Sequence, residues 1–276
     1  MLAKTLLVLA SLALASAAPA KRQAGAGCGS QPPAPSLPAN GNGMSLSAYI
    51  RPAKPSLTHP PQGAELPPVA AGLVLKHIAL GHGIQNYTCA STNATGATTL
   101  AASATGALAA LYDAAPLYPN AGPGSLPSVD AFNALTTNVV WDSPLPLVSD
   151  GVSRFGASTS APFPAAADLV LPSIAPLKQI GVHFFDDAGV PTFQVGEDLF
   201  KGGKLNGTKA PSSADVGPEK TGAVDWLLLG DKGASKGVTT VYRVVTAGGV
   251  AHQCTVAGAT DSVPYATYYW FYGPKA

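Results

Sequence analysis

From Gly72 onward the chain is cut into short apolar runs by Gly, Pro, Asn and Asp, and this punctuation limits what it can fold into. Leu73, Leu75 and His77 alternate with Val74, Lys76 and Ile78, the rhythm of a strand with two distinct faces. Further strands are expected at Thr105–Asp113, Thr136–Trp141, Ile180–Phe185, Thr192–Val195, Val224–Leu229, Val238–Thr246, Ala251–Val256 and Pro264–Tyr272. Gly248-Gly249 reads as the hairpin turn between Val238–Thr246 and Ala251–Val256. The Ala/Leu-rich segment from Thr98 to Tyr112 also suits a helix, weakened by Gly106. No other stretch of ten or more residues is read as keeping a 3.6-residue period. Many short strands with turns between them predict an all-β domain, an antiparallel sandwich or barrel, over residues 72–276.

Ahead of that domain, residues 23–71 are rich in proline, ten of which fall between Pro32 and Pro68. Proline has no backbone N–H to give a helix or sheet, so this stretch is expected to be an extended arm. Residues 1–18 have the form of a signal peptide: a positive start at Met1–Lys4, an apolar run from Thr5 to Ala15, and small residues at Ser16–Ala18. The run is shorter than the roughly 20 apolar residues that span a bilayer. Lys21-Arg22 would close a short propeptide at residues 19–22 and leave Gln23 first. A secreted protein without a membrane span is the expectation, extracellular or in the cell wall.

Three sequons fit that route: Asn86-Tyr-Thr88, Asn93-Ala-Thr95 and Asn206-Gly-Thr208. Glycans need solvent, so the asparagines are expected on exposed loops or strand ends. Of the 16 Lys and Arg, Lys4, Lys21 and Arg22 leave with the leader, so 13 remain against 15 Asp and Glu, a net charge of −2. A nucleic-acid partner needs a basic stripe, and there is none. The cysteines are Cys28, Cys89 and Cys254, an odd number that leaves one over. Cys89 and Cys254 each close a strand-like run, so a Cys89–Cys254 disulfide is expected, with the state of Cys28 open.

"HIALGHGIQNYTCA", His77 to Ala90, holds two histidines and a Gly-x-Gly. A dinucleotide turn needs a third glycine where Asn86 stands, and a helix directly after it; Ile84–Cys89 continues as strand. The glycines are therefore read as a bulge or turn, and no cofactor is expected. His77, His82 and His183, with Asp186, are weak metal candidates, because no metal-ligand spacing joins them and His77 and His82 fall on opposite strand faces. Gly233-Ala-Ser235-Lys-Gly237 matches G-x-S-x-G, but a strand follows it where a hydrolase elbow needs a helix. The adjacent pairs Asp186-Asp187 and Glu197-Asp198 are read as turn residues, not as carboxylates facing across a glycosidase cleft.

The aromatic tail from Val263 to Tyr272 puts Tyr265, Tyr269 and Phe271 on one face and Tyr268, Trp270 and Tyr272 on the other. One face must be core. The second is either core or an exposed platform on which sugar rings stack, which makes Tyr268, Trp270 and Tyr272 candidate binding residues.

In order, "HIALGHGIQNYTC", "GVHFFDDAGVPTF", "VDWLLL", "VYRVVTAGG" and "VPYATYYWFY" resemble a family of secreted fungal and bacterial proteins classed as a domain of unknown function. Some fungal members carry the label malate dehydrogenase. The likeness spans about Gly72 to Tyr272 and implies a shared β domain. Cysteines after "YT" and after "TAGG" belong to its pattern, which supports the Cys89–Cys254 pairing; it implies no catalytic residues. Hydride transfer to a dicarboxylic acid needs a glycine-rich turn on a parallel α/β sheet and arginines that clamp carboxylates. Beyond the leader the chain has only Arg51, Arg154 and Arg243, so that label is set aside. The expected function is a secreted glycoprotein that binds an extracellular ligand, such as cell-wall polysaccharide, or serves as a surface component. The alternatives are a secreted hydrolase or metalloenzyme and a host-directed secreted effector.

Overall fold

The computed structural model describes residues 65–94 and 97–275 together with Pro35 and Leu37, giving the backbone only for 92–94, 97 and 98. The leader, the dibasic site, Cys28 and most of the proline-rich arm lie outside the described residues.

Eight strands follow one another: β1 (Leu73–Ala94), β2 (Ala97–Asp113), β3 (Gln179–Phe185), β4 (Pro191–Val195), β5 (Asp198–Thr208), β6 (Trp226–Asp231), β7 (Thr240–Gly248) and β8 (Thr260–Pro274). Each pairs antiparallel with its successor, and β8 pairs with β1, so the sheet closes on itself as a barrel. A 3-10 turn at Ala115–Leu117 and the α-helix α1 (Val129–Asp142) lie between β2 and β3. The described residues from Glu65 onward form a single all-β domain. None of the described helices is long and apolar enough to cross a membrane.

Most expected strands lie inside these elements, and Thr98 to Tyr112 is strand, not helix. Thr136–Trp141 is corrected: it is the second half of α1. Its β-branched residues suggested a strand, but Phe132, Leu135, Thr136, Val139 and Val140 are buried at helical spacing. Ser128 caps the helix, its hydroxyl accepting from the Ala131 amide at 3.1 Å. Ala251–Val256 is also corrected: it is irregular, so Gly248-Gly249 starts a long connection to β8 instead of turning a hairpin. The strand β5 escaped notice because its Gly202-Gly203 and Lys204 break the apolar alternation. Gly202 has no room for a side chain, since a Cβ there would meet the Phe200 ring and the Gly230 carbonyl.

The closed sheet has two cores. Inside lie Phe193, Phe200, Tyr265, Tyr269 and Phe271, with small Ala79, Ala107 and Ala109 across from them. On the outer face of β7, β8, β1 and β2, Tyr268, Trp270, Tyr242 and Ile78 are covered by Phe132, Leu135, Val139 and Val140 of α1. The long connection from α1 to β3 adds Leu169, Leu171 and Leu177 to that cover. β8 is thus buried on both faces, which explains its unbroken aromatic run.

Gly81 and Gly83 are corrected as well: both sit in register within β1, and the local bulge falls between Asn86 and Tyr87. At Gly81 an added Cβ would lie 2.6 Å from Cε2 of Tyr269, so the glycine makes room for an inward aromatic ring. Neither glycine precedes a helix, and every strand pair is antiparallel, so the geometry of a nucleotide turn is missing from this segment.

Candidate functional site

Both faces of the aromatic tail are core, which removes the sugar platform. Tyr268 and Trp270 are fully buried, and Tyr272 is 6% exposed. Tyr268 stacks on Phe132 of α1 with ring centroids 4.3 Å apart, and its hydroxyl donates to the Phe132 carbonyl at 2.7 Å. Tyr118 lies edge-on to Trp270 at 5.7 Å, and Tyr242 edge-on to Tyr272 at the same distance. Of the two alternatives for the second face, core or exposed platform, it is core, because α1 covers it.

The candidate metal ligands do not converge. His77 Nε2 pairs with Asp198 at 2.8 Å. His82 faces outward under the chain just after α1, its ring nitrogens 3.3 and 3.2 Å from the carbonyl oxygens of Tyr265 and Pro144. His183 points inward, stacked on Phe193 at 3.8 Å, with Nδ1 2.9 Å from the Thr192 carbonyl. Burial holds both rings neutral: His82 is pushed below the ordinary imidazole value, and His183, with Arg243 nearby adding to the effect, falls to about 3. Asp186 belongs to the β3–β4 turn, where it accepts from the Ala188 and Val190 amides and pairs with Lys201 at 2.6 Å. The Lys201 and Val190 hydrogen bonds hold its carboxyl below the usual carboxylate range. Among the described residues no group of three His, Cys, Asp or Glu is placed to hold a metal ion.

Ser235 of the G-x-S-x-G match is structural. Its hydroxyl accepts from the Lys201 amide at 2.9 Å and donates to the Lys201 carbonyl at 3.3 Å, fastening the β6–β7 loop to β5.

What does come together is one end of the barrel. A disulfide joins Cys89 of β1 to Cys254 of the connection from β7 to β8, with Cα atoms 5.4 Å apart. The Cys89 amide donates to the Ala259 carbonyl at 2.7 Å, and the Gly258 amide to the Cys89 carbonyl at 2.8 Å. Residues 249–259 are thereby tied to the projecting β1–β2 hairpin. Between them lies a cleft of about 240 Å³ lined by Tyr87, Cys89, His252, Cys254 and Asp261. A second hollow of about 140 Å³ shares His252 and Asp261 and adds Arg154 and Glu219.

The charged groups at this end form a chain. His252 Nδ1 lies 3.2 Å from Asp261, and its backbone amide donates to the same carboxylate at 2.8 Å. Its Nε2 faces Glu219 at 3.5 Å, and Glu219 pairs with Arg154 at 2.9 Å. His252 is about half exposed, so this chain borders solvent. Behind it, the Tyr87 hydroxyl donates to the Gly249 carbonyl at 2.6 Å. Burial pushes that phenol up to about 12, so it stays a donor at any physiological pH.

Deeper still, Arg243 projects from β7 into the barrel. Its Nη2 and Nε donate to the Asp225 carbonyl at 2.9 and 3.1 Å, and Nη1 to Oε1 of Gln85 at 3.4 Å. The Gln85 amide in turn donates to the Gly106 carbonyl at 2.8 Å. The hydroxyls of Tyr265 and Tyr269 lie 2.9 Å apart in the same interior. Just past Arg243, β7 bulges between Val244 and Ala247, and Val245 holds a φ of 51°, a strained left-handed conformation for a β-branched residue. Sequence reading missed His252, Asp261, Glu219 and Arg243. The signal for them was the cysteine pairing, which brings His252 and Tyr87 to the lining of one cleft.

The sequons differ. Asn206 is exposed on β5, beside the outward bulge that carries Leu205. Asn86 is corrected from a loop or strand end to the middle of β1, half-buried, with its Oδ1 accepting from the Ser262 hydroxyl at 2.8 Å. Asn93 falls near the end of β1, and its side chain is outside the described atoms.

The molecule is thus a closed antiparallel β domain whose one end carries a disulfide-tied loop and a charged cleft. It belongs to the family described as Protein of unknown function (DUF3455), whose profile matches residues 70–273. No curated protein and no solved structure matches it.

Proposed function

We propose that the protein is exported behind residues 1–18, trimmed at Lys21-Arg22, glycosylated, and works outside the cell by binding, with the proline-rich arm as a spacer ahead of the domain. The ligand class is a cell-wall polysaccharide. One observation carries the choice of site: Tyr87, His252 and Asp261 line a single cleft whose walls are held by the Cys89–Cys254 disulfide. Polysaccharides are bound by carboxylates that accept from sugar hydroxyls and by rigid aromatic edges, and this cleft offers Asp261 and Tyr87 for those parts.

The test is retention of the secreted protein on insoluble glucan, chitin and mannan. Asp261→Ala and Tyr87→Ala are each expected to weaken retention roughly ten-fold, the scale of one lost charge-assisted hydrogen bond or one lost ring contact. Failure of the wild-type protein to be retained on any of them would overturn polysaccharide binding.

A second reading, a secreted hydrolase, is favoured by His252 standing between Asp261 and Glu219 beside a cleft. Release of reducing ends from the same polysaccharides, abolished by His252→Ala, would promote that reading over binding.

A further inference from the structure

The outer face of β1–β4 carries a groove of about 510 Å³, bounded by β3 and by the segment from Ala157 to Phe163. Phe163, Phe184 and Phe185 line it and are only half-buried, beside Ser158 and the exposed Gln194. Phe185 also packs against the inner core, so the partly exposed apolar surface of the groove is that of Phe163 and Phe184, and it calls for a partner. Asn86 stands at this groove as part of its lining, and it is the acceptor residue of a sequon.

Asn86 is paired with Ser262 on one side and with Gly106 on the other. With Oδ1 accepting from the Ser262 hydroxyl, Nδ2 is the amide atom left for attachment at the groove that Asn86 lines. That nitrogen is the atom to which a glycan is attached. We infer that the groove is the seat of the first sugars of an N-linked glycan on Asn86, which pack against Phe184 and Phe163 and hydrogen-bond to Gln194 and Ser158. The inference rests on the export route proposed above.

The attachment is ordinary group transfer. A lipid diphosphate-linked oligosaccharide supplies the sugar; its C1–O bond to the diphosphate breaks, a C1–Nδ2 bond forms, and the displaced amide proton leaves with the diphosphate. Nothing is oxidised. In the folded sheet Asn86 is half-buried in the middle of β1, so transfer precedes closure of the barrel, and folding then lays the sugars along the outer face. The groove has the character of a sugar site: flat apolar rings for the N-acetyl and ring C–H groups, and a few polar side chains at the rim. Asn206 serves as the internal control, since it is exposed on β5 and is not part of this groove.

The test uses the full chain secreted from a eukaryotic host. Glycopeptide mass analysis is expected to find both Asn86 and Asn206 occupied. Under native conditions a glycosidase should release the Asn86 glycan roughly ten-fold more slowly than that of Asn206, the factor that one or two sugar–ring contacts supply. Phe184→Ala should remove the difference. Should that variant fail to fold, the wild-type protein still decides: an N-acetyl methyl proton of the Asn86 sugar must be shifted upfield by the phenylalanine rings. Equal release rates, or an unshifted methyl, would overturn the seating. Asn86 empty beside an occupied Asn206 would overturn it while leaving export intact. All sequons empty on the secreted protein would overturn the inference while leaving export intact, whereas a chain that stays inside the host would overturn export itself.

Discussion

Tyr268 shows how much one side chain does in this fold. Its ring stacks on Phe132, its hydroxyl satisfies the Phe132 carbonyl inside α1, and it is fully buried on the outer face of β8. Tyr268→Ala is expected to cost about 3–5 kcal/mol through the lost ring and the cavity left behind. Tyr268→Phe keeps the stack and removes only the hydrogen bond, so it should cost about 1 kcal/mol. Chemical denaturation of both variants checks the pair; a Tyr268→Ala cost below about 1 kcal/mol would contradict a packed interface between helix and sheet. At this scale the sequence revealed which residues share a strand face, because alternation is a property of the backbone. It did not reveal that the outward face of β8 is covered, because the covering residues lie over a hundred positions away and no local pattern announces them. The same distance hid the relation between Gly81 and Tyr269, which only the closed register of β1 with β8 brings together.

The connection between β7 and β8 is the element on which the proposed site depends. It has no regular structure over residues 249–259 and is held by the Tyr87–Gly249 hydrogen bond, the two backbone bonds at Cys89, and the disulfide. Replacing both cysteines by serine is expected to lower stability by up to about 5 kcal/mol, because the bridge closes 165 residues of chain and its loss returns that loop entropy to the unfolded state. Native-state hydrogen exchange supplies the finer readout: protection at the Cys89 and Gly258 amides should fall further than at the centre of β8. Uniform loss across the barrel would show that the bridge stabilises the whole fold without specifically holding the cleft. Elements were read from sequence in proportion to their regularity. β3, β4 and β8 carry clean apolar runs; β5 is interrupted by glycines that its tight contact with β6 demands; α1 was hidden because Thr136, Thr137 and Asn138 dilute its apolar stripe.

Across the whole molecule, two neutral histidines couple the fold to pH. His183 sits in the inner core and His82 in the outer one, so both cores contain a group that burial keeps uncharged. In the unfolded chain each imidazole has its ordinary value of 6.5, whereas in the folded state His183 falls to about 3 and His82 is lowered in the same direction. Below pH 6.5 the unfolded state therefore binds more protons than the folded one. Stability is full above that pH and declines as the pH drops toward the folded-state values, by up to about 1.4 kcal/mol per pH unit for each histidine while only the unfolded form is protonated. The titrations are separable. His183→Gln removes the inner one and His82→Gln the outer, and each should flatten the fall in melting temperature between pH 6 and pH 4, whatever it does to stability at neutral pH. A wild-type melting temperature constant over that range would mean that the two rings already carry charge in the folded state. It would also contradict the burial of His183 inside the barrel and of His82 outside it, because an uncompensated imidazolium is not tolerated in either place.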